Sequence, residues 1–82
     1  MSKKPTPEVG QVWRDTNGDS RKTGWRNKRT IRLTASFPNG FHADVLSDVD
    51  GEPPAQPRTT TLMTRTLLAG YVLVEPAPVM EG

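Results

Sequence analysis

The clearest pattern lies between residues 30 and 37. Ile31, Leu33, Ala35 and Phe37 alternate with Thr30, Arg32, Thr34 and Ser36. A period of two puts one set on each face, so the segment reads as a half-buried antiparallel strand. Pro38-Asn39-Gly40 supplies turn chemistry. Phe41, Ala43 and Val45 then alternate with His42 and Asp44 up to Ser47, which completes a hairpin. A shorter alternating run covers 9–13, with Val9, Gln11 and Trp13 on one face and Gly10 and Val12 on the other. The threonine-rich run from Arg58 to Met63 fits a strand with one exposed face. From Thr64 to Ala69 the alternation stops, and Leu67 and Leu68 suit a single 3₁₀ or α turn. Tyr71-Val72-Leu73-Val74 is a last short strand, ended by Pro76 and Pro78.

The segments between these elements are polar. Asp15 to Ser20 is a cluster of turn formers containing Asn17-Gly18. Arg21 to Arg29 holds five basic residues, one glycine and one tryptophan without helical or strand period. The whole stretch reads as a long loop, a splayed hairpin with Asn17-Gly18 at its tip. Asp48 to Pro57 carries Pro53, Pro54 and Pro57 and reads as an exposed connection.

Five short strands cannot cover two faces of an open sheet with so few apolar residues, whereas a curled sheet hides its edges and one face together. The expected fold is therefore all-β: a small five-stranded antiparallel barrel with one short helical turn near the C-terminus. A long loop after the first strand, a three-strand meander, a helical turn and a last strand is the order of SH3-like barrels. The domain is expected over 9–74, with flexible tails over 1–8 and 75–82. Its core candidates are Val12, Ile31, Leu33, Ala35, Phe41, Ala43, Val45, Leu67, Leu73 and one of Leu62 and Met63. Trp13 and Tyr71 read as core or rim packing.

Composition sharpens this picture by exclusion. The 82 residues are 33% hydrophobic and include 8 prolines and 7 glycines, which excludes a helical bundle or a coiled coil. No run of about 18 apolar residues is present, so no transmembrane helix is expected. The start of the chain lacks the apolar stretch of a secretory signal. The absence of cysteine removes disulfides and thiolate metal sites and fits a cytoplasmic protein, in a bacterial host if phage-encoded.

Charge is distributed unevenly. The net charge is +2, yet residues 1–37 carry nine basic against three acidic residues and residues 38–82 two against six. One basic region on a polar molecule is expected.

The segment Gly10-Gln11-Val12-Trp13-Arg14-Asp15 resembles the opening of small domains of unknown function from actinobacteria and their phages. The likeness continues through an arginine-rich loop, Arg29-Thr30-Ile31-Arg32, Arg58-Thr59-Thr60 and the closing Gly70-Tyr71-Val72-Leu73-Val74, and covers roughly 9–74. Gly24-Trp25 is extra in this chain, and the family's Arg-Phe before the last turn is replaced near Arg65-Thr66-Leu67. The resemblance implies a small barrel and a bacterial or phage source, and it implies no activity.

Catalytic constellations are poor. His42 stands two residues from Asp44 on the same strand face, a pairing that can orient an imidazole, but no serine or cysteine nucleophile accompanies it. One histidine is too few for zinc. Asp48-Val49-Asp50-Gly51-Glu52 opens like a calcium loop, yet Thr59 stands where the closing glutamate belongs. No phosphate-cradling glycine motif is present. No enzyme activity, cofactor or metal is therefore expected.

The candidate binding residues are Arg14, Arg21, Lys22, Trp25, Arg26, Lys28, Arg29 and Arg32. Cations neutralise phosphates, and an exposed indole can stack on an unpaired base. The same loop position in SH3-like barrels lines a groove where aromatic residues hold peptides. Few stacking aromatics, a low net charge and the acidic 44–52 segment favour a protein partner or self-association over nucleic acid. The function expected is a non-enzymatic, phage- or prophage-encoded accessory binding module acting through its 14–32 face, with nucleic-acid binding by the same loop as the alternative.

Overall fold

The computed structural model describes residues 6–77. The elements are β1 (Val12–Asp15), β2 (Thr30–Phe37), β3 (Gly40–Ser47), β4 (Thr59–Met63), α1 (Thr64–Gly70) and β5 (Tyr71–Glu75). All strands join one antiparallel sheet in the order β4-β3-β2-β1-β5. β1 is thus flanked by β2 on one side and by the last strand on the other. β4 and β5 form the two edges of an open sheet, and α1 links them while packing against β3, β4 and β5.

One face of the sheet carries the core. Trp13, Ile31, Leu33, Phe41, Ala43, Val45, Leu62 and Leu67 form a single buried cluster, with Leu68, Tyr71 and Leu73 packed against it half-buried. Leu67 is the buried residue of α1, which explains why this seven-residue helix is held there despite lacking a side-chain cap. Fully burying a side chain of this size contributes about 1.5–3 kcal/mol relative to leaving it in water. Leu62 rather than Met63 points inward; Met63 is exposed.

The β2–β3 pairing shifts register between Thr30 and Ile31 and again between Leu33 and Ala35, and the latter shift redirects side chains that strict alternation would place elsewhere. In β2, Leu33 faces Ala43 and Ala35 faces His42, so two residues of β2 advance against one of β3. The bulge carries Ala35 onto the solvent face beside His42, and Ala35 is exposed rather than part of the core. Phe37 moves with it, its ring centroid 5.0 Å from that of His42. A one-residue slip inverts every later side chain, which is the effect seen here. In the β1–β5 pairing a third shift falls between Val12 and Trp13. Val12 is buried but lies outside the main cluster, in register with Arg32 on the opposite face.

The first strand starts later than the alternation over 9–13 predicts. Val9-Gly10 forms a turn, with Gly10 at φ 100° and Val9 exposed. The cause is Gln11, a buried polar residue. Its Oε1 accepts from the Trp13 indole N–H (3.0 Å) and the Glu8 amide (2.7 Å), and its Nε2 donates to the Thr6 carbonyl (3.1 Å). The indole is thereby buried without losing its hydrogen bond. Residues 6–8 of the expected N-terminal tail are tied down by this amide. Residues 1–5 and 78–82 of the expected tails lie outside the described residues, and Glu75 belongs to β5.

Gly40 stands in register with Met63 and tight against the β4 backbone. A Cβ there would run into the Leu62 carbonyl and stand 2.8 Å from Phe37 Cζ, whereas one at Gly70 would meet nothing within 4 Å. Gly40→Ala is therefore expected to cost on the order of 2 kcal/mol or more through overpacking. Gly70→Ala, in a helical residue, is expected to be neutral or stabilising by up to about 1 kcal/mol. Urea unfolding of the two variants checks the contrast, and equal midpoints would refute it.

Candidate functional site

The connection between β1 and β2 doubles back on itself. Ser20 N–H donates to the Trp25 carbonyl (3.0 Å), and Gly24 N–H to the Ser20 carbonyl (2.9 Å). Asp15 N–H reaches the Arg29 carbonyl (2.9 Å). The hairpin-like loop expected from its composition is present, but its tip is Arg21 to Gly24. Asn17-Gly18 instead forms a turn on the outgoing limb, with Gly18 at φ 88°. Gly24, at φ 75°, makes the second turn possible.

A polar cluster at the base of the loop holds the two limbs together. Asp19 accepts the Asn27 amide at 2.8 Å and the Arg14 guanidinium at 3.3 Å, with Arg26 at 3.5 Å. Arg14 Nη1 also donates to the Asn27 carbonyl (2.7 Å). The buried Asn27 side chain donates to the Asn17 carbonyl (2.9 Å) and accepts the Arg29 amide (3.0 Å). The backbone hydrogen bond from Asn27, then Arg14 and Arg26, hold the Asp19 carboxyl below its ordinary range despite some desolvation. Neither Asn27 nor Asp19 stands among the candidates drawn from the sequence. Only their position inside a cation-rich loop marks them, and short polar residues there are common.

This cluster sorts the eight candidate residues. Arg14 is half-buried and bound inside the cluster. Arg29 is half-buried, with its Nε buried and unpartnered. Arg32 is exposed but stands on β2, opposite Asp44, away from the loop tip. Lys28 runs along the acidic turn: its amide donates to the Val49 carbonyl (3.1 Å), and a Cβ at Gly51 would lie 3.0 Å from its Cδ. Arg21, Lys22, Trp25 and Arg26 remain together at the exposed end. Trp25 packs across the Gly18 backbone, a Cβ there falling 2.9 Å from its Cζ3, yet the residue is 46% exposed.

The other chemical candidates resolve into structural roles. His42 Nδ1 lies 2.9 Å from Thr61 Oγ1 on the exposed face. Asp48 and Asp50 accept the Val49 and Glu52 amides (2.9 Å each), closing their own turn, and Asp48 pairs with Arg58 at 3.4 Å. Among the described residues no three His, Cys, Asp or Glu side chains are placed to share a metal ion. No helix there is long and apolar enough to cross a membrane. A shallow cavity of about 380 Å³ lies beside the loop base, lined by Asp15, Asn17, Thr66, Ala69, Gly70 and Tyr71. Burial first, and then the Asp15 charge, push the Tyr71 hydroxyl up, partly offset by Arg29.

Comparison with protein-family models, curated proteins and solved structures finds no match for the chain. The reading of this face rests on its geometry.

Because the folded Asp19 carboxyl is more acidic than in the unfolded chain, its contribution is complete above the unfolded value and is lost as pH falls through the folded one. Acidification below about pH 4 is expected to loosen the loop. Asp19→Asn is expected to remove that pH dependence while loosening the loop at neutral pH. Amide exchange at Asn27 and Trp25 reads both effects; protection at Asn27 unchanged by the substitution would contradict this role.

Proposed function

We propose that the chain is a non-enzymatic SH3-like binding module that engages a protein partner through its 14–32 face. The observation that carries this reading is a half-exposed Trp25, held on the Gly18 backbone at the end of a loop fixed by Asp19. A half-exposed tryptophan in an arginine-rich loop has the composition of interface hot spots, and ordering it beforehand lowers the entropy lost on binding. The pairing of β5 with β1, the β2–β3–β4 meander and the helix between β4 and β5 support the SH3-like description. The resemblance to actinobacterial and phage domains supports a phage or prophage accessory protein.

A protein partner is preferred to a polyanion because acid and base adjoin on this face. The Asp48–Glu52 turn is hydrogen-bonded to Lys28, so a phosphate backbone crossing the loop meets carboxylates. Arg21 and Lys22 are exposed at the tip and Arg26 is exposed but already paired with Asp19, and even three neutralised phosphates would give a log K against log salt slope of only about −2 to −3.

Tryptophan fluorescence should remain unchanged when random-sequence single- or double-stranded DNA is titrated at low salt. Capture from a bacterial host lysate should yield a defined partner whose binding falls about 30-fold or more on Trp25→Ala, the scale of a hot-spot truncation. Circular dichroism controls for the fold of the variant. A salt-sensitive DNA response abolished by Trp25→Ala with Arg26→Ala overturns the protein reading in favour of nucleic acid.

A further inference from the structure

We propose that Asn17-Gly18 is a self-modifying site: the Gly18 nitrogen displaces the Asn17 side-chain amide, and the product releases the loop that Asp19 holds. The chain contains three Asn-Gly or Asp-Gly pairs, Asn17-Gly18, Asn39-Gly40 and Asp50-Gly51. In each, glycine leaves its backbone nitrogen unshielded by a side chain, within reach of the preceding side-chain carbonyl.

The fold separates the three. Gly40 is buried and in register with Phe37 and Met63, one on each neighbouring strand. The Gly51 N–H donates to the Asp48 carbonyl (2.8 Å), and the Asp50 carboxylate accepts the Glu52 amide (2.9 Å). Asn17 and Gly18 are both exposed. Among the described residues neither the Asn17 side-chain amide nor the Gly18 N–H makes a hydrogen bond. No bond at either reacting group has to break before they meet. Position 18 also requires its glycine. It stands at φ 88°, and the Trp25 ring fills the space of a side chain, with Cζ3 2.9 Å from where a Cβ would be. Seating the indole thus demands the residue that makes the pair labile.

The chemistry needs only water. The Gly18 nitrogen attacks the Asn17 side-chain carbonyl carbon and a C–N bond forms. The side-chain nitrogen leaves as ammonia, carrying the proton from Gly18, and a five-membered imide closes. Water then opens the ring. Opening at the side-chain carbonyl gives an aspartyl residue. Opening at the main-chain carbonyl gives an isoaspartyl residue, whose chain is one atom longer and runs through the former side chain. In that product the carbonyl that holds the buried Asn27 side chain becomes a free carboxylate. Either product adds negative charge between Asp15 and Asp19, and like charges at that spacing repel.

The intact chain, aged in warm neutral buffer, tests this. Trypsin separates the two asparagines, Asn17 falling in 15–21 and Asn39 in 33–58. Mass spectrometry should show a gain of one dalton in 15–21 about tenfold faster than in 33–58, a barrier difference of about 1.4 kcal/mol. In the guanidinium-unfolded chain the two rates should converge, because only flanking residues then distinguish the sites. In the modified fraction, resolved by ion exchange, amide protection at Asn27 should fall about tenfold while protection at Leu33, in the sheet, holds. Asn17→Gln, whose longer side chain closes a ring far more slowly, should keep both the mass of 15–21 and the protection at Asn27. Position 17 lies outside the positive-φ region, so glutamine fits there. The proposal is overturned by equal rates at the two sites in the folded chain, by a rate ratio that persists in guanidinium, by no mass gain at Asn17, or by a modified fraction that keeps Asn27 protected. Loss of partner binding in that fraction rests on the reading of the 14–32 face given above; the mass and exchange readouts do not, so the two fail separately.

Discussion

The carboxylate of Asp19 is the interaction on which the candidate face depends. Residues 16–29 bury almost nothing apolar, so the hydrophobic effect that holds the sheet cannot shape them. Their conformation rests instead on one carboxylate that accepts the Asn27 amide and the Arg14 guanidinium and pairs with Arg26. Asn27 completes the arrangement by bridging the opposite limb at Asn17 and the chain's exit at Arg29. The Asn27 amide at 2.8 Å is the short charge-assisted bond of the set, and the guanidinium contacts at 3.3 and 3.5 Å are longer. Because the pieces share partners, loss of one exposes the others to water.

That cluster would be of little use on a mobile base, and β1 supplies the rigid one. Arg14 enters the cluster from a strand whose next residue inward, Trp13, is almost fully buried. Trp13 is fixed in turn by Gln11, and β1 is paired on both sides, with the next strand and with the last one. Thr16 adds a second anchor, donating through both its amide and its hydroxyl to the Gly70 carbonyl at the end of α1. The loop is therefore fastened to the helix as well as to the sheet.

The strands were legible in the sequence because alternation reports burial directly. Thr30–Phe37 has the predicted bounds, and the helical turn extends by one residue to Gly70. Ala35 was misplaced because a bulge is a property of two strands: nothing in 30–37 alone shows that β3 advances one residue less. Gln11 and Asn27 were missed for a related reason. A buried amide is stable only when its partners are in place, and those partners are Trp13, Thr6, Asn17 and Arg29, brought together by folding. The basic loop was visible as a run of charge, but its division into bound and exposed cations was not.

That division changes what the charge means. Counted along the chain, 14–32 is a strongly basic segment; in the fold much of its charge is already answered. Arg14 and Arg26 share the Asp19 carboxylate, while Lys28 touches the Asp48–Glu52 turn through its backbone amide and its aliphatic stem. Exposed ion pairs of this type add little stability individually, but they fix where the remaining charge stands. Arg21 and Lys22 are left at the tip beside an indole that water covers on one side only. Such a surface attracts weakly at long range and discriminates at contact, where the shape of the tryptophan and the alternation of acid and base must both be matched. A partner fitted to it is distinguished by complementarity over a small patch, the property in which folded proteins and peptides exceed a uniform polyanion.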